Sequence, residues 1–157
     1  MTIVVRRAAL EEAALVHQIM VEAFAEYAET LPAPSGALRE TPADVEKIMA
    51  RGGAVLAWDG SQPVGSARFE PGDGFLYVGR VAVLPAYRRR GIGREMMRFI
   101  EIDAARAGFR RIELGVRMSL PSNLALYRSL GYVTVEVRSH ESGHDRVAWL
   151  AKNLCEV

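Results

Sequence analysis

Between Val81 and Arg94 the chain reads V-A-V-L-P-A-Y-R-R-R-G-I-G-R, an apolar run that stops at a proline, crosses an arginine-rich turn and opens into helical periodicity. The unbroken apolar stretch Val81 to Leu84 predicts a strand buried on both faces, and Pro85 ends it. From Gly91 to Ala107 the apolar positions Ile92, Met96, Phe99, Ile100 and Ala104 recur at helical spacing, with Gly108 as a left-handed stop. Arg111 to Val116 is strand-like again. The middle of the chain is therefore a β-α-β crossover, which restricts the fold to those that contain a sheet with helices packed on it.

The flanks supply the rest of the sheet. Thr2 to Arg6 reads as a strand, and Leu10, Ala14, Val16, His17, Met20, Val21 and Phe24 as an amphipathic helix. Pro32, Pro34, Ser35 and Gly36 then mark a loop. Thr41, Pro42 and Asp44 form a helix start, with Gly52 and Gly53 as the stop. Ala54 to Trp58 and Val64 to Glu70 are strands joined through Asp59-Gly60, a hairpin dipeptide. After the crossover, Ser122 to Leu130 predicts a short helix capped by Ser122 and stopped by Gly131. Tyr132 to Ser139 and Arg146 to Ala151 form a closing hairpin. The order β-α-α-β-β-β-α-β-α-β-β gives a mixed α/β sheet: an early antiparallel meander, one crossover and a final hairpin.

The 157 residues allow one shared core, so a single domain over 1–157 is expected. Half are apolar and a quarter charged, which excludes general disorder. Twenty basic residues nearly balance nineteen acidic ones, so any polyanion site is local. The lone Cys155 makes neither an internal disulfide nor a multi-cysteine zinc site. No signal-like segment opens the chain, and no stretch approaches the roughly 20 apolar residues of a membrane span. A cytoplasmic protein without membrane or nucleic-acid partners is expected.

The turn suits an anion. Gly91 and Gly93 lack side chains, so N–H groups at the helix start can approach phosphate oxygens, and the helix dipole favours negative charge. Arg88, Arg89, Arg90 and Arg94 add attraction. The turn lacks both the nucleoside triphosphate loop pattern and the full dinucleotide fingerprint. Read alone, the usual account is a tight turn shaped by the glycines and a solvated charge run.

The combination of V-A-V-L-P, R-x-x-G-x-G at Arg88 to Gly93, and N-L-A-L-Y-R-S-L-G-Y at Asn123 to Tyr132 resembles the GNAT superfamily of acetyl-CoA-dependent N-acetyltransferases. The resemblance implies an acyl-CoA N-acyltransferase fold, a mostly antiparallel sheet with a central splayed parallel strand pair flanked by helices. It implies that the exposed backbone of Val81, Ala82 and Val83 pairs with the pantetheine arm. A bulge would expose that backbone. An N–H near Val81 would then stabilise the developing oxyanion, and Arg89, Arg90, Gly91, Ile92, Gly93 and Arg94 would cradle the pyrophosphate. Tyr127 matches the tyrosine that protonates the departing thiolate; a phenol is protonated at neutral pH and able to donate. The family asparagine seven residues earlier is replaced by Leu120, and Asn123 stands four before Tyr127, either as a cofactor contact or as a cap beside Ser122.

An amine acceptor must lose a proton before it attacks, so a base or a water chain is expected. Glu113 is the candidate base by strand parity, and equally a surface partner for Arg111 or Arg117. Some relatives carry their carboxylate where this chain has Gly115. The family places the acceptor near Phe24, Tyr27 and the loop from Leu31 to Glu40, where Glu22, Glu26, Glu29 and Glu40 would attract a cation. His17 reads as packing or surface, and His140 and His144 lack a third ligand, so no metal is assigned. The leading expectation is acetyl transfer from acetyl-CoA to a small-molecule or peptide amine. The alternative is a non-catalytic acyl-CoA-binding or sensing module. RNA binding through the arginines stands far behind, with no RNA-binding aromatic motif to support it. The acceptor is not legible, and monomer and homodimer both remain open.

Overall fold

The computed structural model describes residues 2–28, 36–141 and 143–155, with the side chains at 27, 28, 121 and 122 outside that description. Seven strands form one sheet in the order β1-β2-β3-β4-β5-β7-β6, with β1 Ile3–Arg7, β2 Gly53–Asp59, β3 Gln62–Pro71, β4 Leu76–Val83, β5 Arg111–Arg117, β6 Val133–Ser139 and β7 Arg146–Asn153. Every neighbouring pair is antiparallel except β4 and β5. That parallel pair meets only at Leu76 with Ile112 and Tyr77 with Glu113. The remainder of β4 thus has β3 on one side and an opening on the other.

The helices are α1 Ala13–Phe24, α2 Pro42–Arg51, α3 Ile92–Arg106 and α4 Pro121–Ser129. Thr41 caps α2 as its sequence indicates: the Asp44 N–H donates to Thr41 Oγ1 at 3.2 Å, and the Thr41 N–H to Asp44 Oδ2 at 2.9 Å. Gly91 stands at the N-cap of α3 with φ of +78°, a conformation glycine adopts without a Cβ penalty. For α4 the structure corrects the sequence reading. Leu120 is the N-cap and Pro121 the first helical residue, so Ser122 lies inside the helix.

α3 and α4 cover one face of the sheet, where Met96, Met97 and Ile100 pack against Val64, Leu76, Val78 and Leu114. Each such fully buried side chain contributes roughly 1.5–3 kcal/mol. α1 and α2 cover the other face through Val16, Met20, Val45 and Met49 over Ala54 and Leu56. The expectation that Val81 to Leu84 is buried on both faces fails. Ala82 alone is buried there, while Val81, Val83 and Leu84 are half-buried, because the strand has lost its parallel neighbour by that point.

A bulge accompanies the loss. Arg68 pairs with Gly79 and Ser66 with Ala82, so Arg80 and Val81 together oppose the single residue Ala67. Arg80 takes φ of +50° to accommodate the extra residue.

Candidate active site

The opening beside β4 is the mouth of a cleft of ≈ 690 Å³, within the usual range for a small-molecule site. Its wall is Val81, Ala82 and Val83, its floor the turn and first residues of α3 (Arg88, Arg89, Gly91, Ile92, Gly93 and Arg94), and its far side Asn123, Leu126 and Tyr127 from α4. Ala23 and Phe24 close it from the end of α1. Residues that the sequence reading drew from three separate segments therefore share one cavity.

No side chain caps the N-terminus of α3, and the N–H groups of a first helical turn have no acceptor within the helix. They face the cleft with the positive end of the helix dipole. A Cβ on Gly93 would sit 3.4 Å from Leu126 Cδ2, an ordinary contact, whereas Gly91 is demanded by its backbone angle alone. This donor set fits a diphosphate group, and the open edge of β4 fits an extended amide-bearing chain such as pantetheine.

The arginines of the turn divide. Arg88 donates from Nε to the Val83 carbonyl at 3.1 Å and from Nη2 to the Ala23 carbonyl at 2.8 Å, and it pairs with Glu26. Glu26, expected on the acceptor side, instead lines this cleft. Arg90 does not line the cleft and places its guanidinium carbon 5.3 Å from the Tyr87 ring centroid. Arg94 donates to Ser129 Oγ at 2.9 Å at the cleft edge.

Tyr127 is 8% exposed, packed edge-on against Tyr132 with ring centroids 6.0 Å apart. Burial, helped by the neighbouring Tyr77, pushes its phenol well above the ordinary tyrosine value, so it stays protonated at neutral pH. Asn123 lines the cleft and donates its backbone N–H to the Leu120 carbonyl at 3.1 Å, as the third helical residue after the cap.

Glu113 is not in the cleft lining. It accepts from Arg111 Nε at 2.9 Å and from Trp149 Nε1 at 2.5 Å. Burial alone would raise its pKa, but these two bonds together with the charges of Arg111 and Arg138 outweigh burial and hold it below the ordinary carboxylate range. Arg111, not Arg117, is the partner; Arg117 pairs with Asp145 at 2.8 Å. At Gly115 a Cβ would meet Val147 Cγ1 at 3.0 Å and the Trp149 ring at 3.2 Å. The indole thus covers the Gly115 position, where the resemblance leads one to expect the carboxylate of some relatives.

Of the acceptor-side expectations, Phe24 lines the cleft and Glu40 is held by Arg68, at 2.8 and 2.5 Å. The Tyr27 side chain, Glu29 and residues 31–35 lie outside the described residues. His17 bonds the Glu40 carbonyl oxygen at 2.8 Å, a packing role. Among the described residues no group of three His, Cys, Asp or Glu is arranged to hold a metal ion, and no helix is long and apolar enough to cross a membrane. The sequence reading missed Ala23, Tyr87 and Leu126 as lining residues. Leu126 was reachable, three residues after Asn123 on the same helical face, while nothing in the sequence joins Ala23 to β4.

Residues 16–132 match the Acetyltransferase (GNAT) family. The chain is similar to the N-alpha-acetyltransferase RimI of Mycobacterium tuberculosis, 40% identical over 55% of this chain and 51% of that protein, so the match spans about half the relative's length. It is similar in fold to the ribosomal-protein-S18-alanine N-acetyltransferase from Escherichia coli, with a TM-score of 0.76 at 19% identity over 99% of this chain and 96% of that one. It is likewise similar to a GNAT family acetyltransferase from Elizabethkingia anophelis with acetyl-CoA bound, with a TM-score of 0.74 at 17% identity over 97% and 98%.

Proposed function

The chain belongs to the GNAT acetyltransferase family, and from that premise we propose that it transfers the acetyl group of acetyl-CoA to a primary amine by direct attack within a ternary complex. The observation that carries this reading is the sharing of one cleft by the open edge of β4, the uncapped start of α3 and the buried Tyr127. Acetyl-CoA supplies the activated acetyl thioester.

Each residue has a defined task. The N–H groups of Arg89 and of Gly91 to Arg94 hold the diphosphate. The β4 backbone at Val81 to Val83 pairs with the pantetheine arm, and the Val81 N–H donates to the carbonyl oxygen as negative charge develops on it. Tyr127 gives its proton to the sulfur as the carbon–sulfur bond breaks. The ammonium proton leaves to water, because a carboxylate held as low as Glu113 is a weak base at neutral pH. The unit that does this is the whole chain, residues 1–157, taken as a single domain.

Replacing Tyr127 with Phe tests the reading. Turnover measured by thiol release should fall by about 10²–10⁴-fold, the usual contribution of a general acid, while calorimetric affinity for acetyl-CoA stays close to wild type. A wild type that binds acetyl-CoA but turns over no amine would favour the sensing module instead.

A further inference from the structure

In the acetyl-transfer reading the acceptor reaches Val81 from the side of the loop that ends at Glu40. Among the described residues, five carboxylates toward that side and the neighbouring strands already have an arginine. Glu40 is held by Arg68, Glu113 by Arg111, Asp145 by Arg117, Glu136 by Arg138 and Glu141 by Arg39. A polyamine, which needs unpaired carboxylates, finds none of these free.

Arg80 is the reverse case. Its Nε is buried and has no hydrogen-bond acceptor among the described residues. The nearest carboxylate oxygen, Glu40 Oε2, is 3.6 Å away, beyond hydrogen-bond reach, and the Arg80 side chain keeps 31% of its surface. Glu40 is already engaged by both terminal nitrogens of Arg68. Two guanidinium groups therefore share one carboxylate, and a positive charge is left over. The residue that carries it sits in the left-handed region at φ of +50°, in the bulge immediately before Val81. Such backbone strain in a long side chain persists only where its surroundings fix it.

Resting on the acetyl-transfer reading, we propose that Arg80 recognises a carboxylate on the acceptor, so that the substrate is an amine bearing its own acid group. A carboxylate at the exposed part of the Arg80 side chain would supply the missing charge for the Arg68–Glu40–Arg80 cluster. Such an acid comes from a free amino acid or from an acidic side chain near a peptide amine.

Calorimetric titrations of the full chain separate these. Coenzyme A is titrated first. The protein, saturated where it binds and free where it does not, then receives L-alanine, Ala-Glu-amide, Ala-Gln-amide or spermidine. At least one acid-bearing probe should bind about ten- to a hundredfold more tightly than Ala-Gln-amide, and spermidine more weakly still. L-alanine as the tighter probe identifies an amino acid, Ala-Glu-amide an acidic peptide. Arg80→Gln should abolish the preference for acid over neutral probe, and Arg80→Lys should restore part of it, which a merely structural arginine would not show. No preference in the wild type, no binding of any probe, tighter binding of spermidine, or a preference unchanged in Arg80→Gln overturns the proposal. Failure to bind coenzyme A counts against the transferase reading and is seen separately, in the first titration.

Discussion

The Arg88 guanidinium reaches back across the chain to donate to the Ala23 carbonyl at 2.8 Å, tying the last turn of α1 to the end of β4. The arginine that begins the phosphate-loop pattern thus builds the mouth of the cleft from within the protein. Arg88→Met should leave the Ala23 and Val83 carbonyls short of a donor and cost about 1–3 kcal/mol of stability. Denaturant unfolding should show the loss. An unchanged midpoint would mean the strap is idle.

The two glycines of the turn should separate by substitution. Gly91→Ala forces a Cβ into φ of +78° and should cost about 1–2 kcal/mol. Gly93→Ala adds a methyl at ordinary contact distance from Leu126 inside a helix, and should be close to neutral in thermal unfolding. Equal losses in both variants would contradict the assignment of Gly91 to the N-cap.

Burial raises the phenols of Tyr77, Tyr127 and Tyr132 above the ordinary value. In the folded state they keep protons that the unfolded chain releases near pH 10. Their contribution is therefore complete below about pH 10 and is lost as pH rises above it. Urea midpoints should be level from neutral pH to about 9 and fall steeply beyond about 10. A level profile to higher pH would contradict the burial of these rings.

Placing a carboxylate where some relatives carry one should fail here. Gly115→Glu drives its Cβ against Val147 and the Trp149 ring, and overpacking of this kind costs about 1–3 kcal/mol. Stability should drop with no gain in turnover. A stable and faster Gly115→Glu variant would mean that Trp149 yields the position.

Much of this was legible because local chemistry dictated it. Thr41-Pro42-Asp44, Asp59-Gly60 and Gly91 each specify a backbone state through their own atoms, and Gly60 and Gly91 do take positive φ. The fate of Val81 to Leu84 was not legible. An apolar run reads alike whether a strand keeps both neighbours or loses one, and the splay from β5 is a tertiary fact. The same holds for charge. Glu26 and Glu40 looked like free acids beside an amine site, and only the fold reveals that Arg88 and Arg68 hold them. Leu120 took the cap from Ser122 because Pro121 suits the first helical position.

The most direct measurement is calorimetric titration of acetyl-CoA into the wild type and into a Gly91→Glu, Gly93→Glu double variant whose two carboxylates repel and block a diphosphate. Saturable wild-type binding that disappears in the variant, with circular dichroism unchanged, is the expected result. Absence of wild-type binding, or equal binding by the folded variant, would contradict the assignment of this cleft to acetyl-CoA.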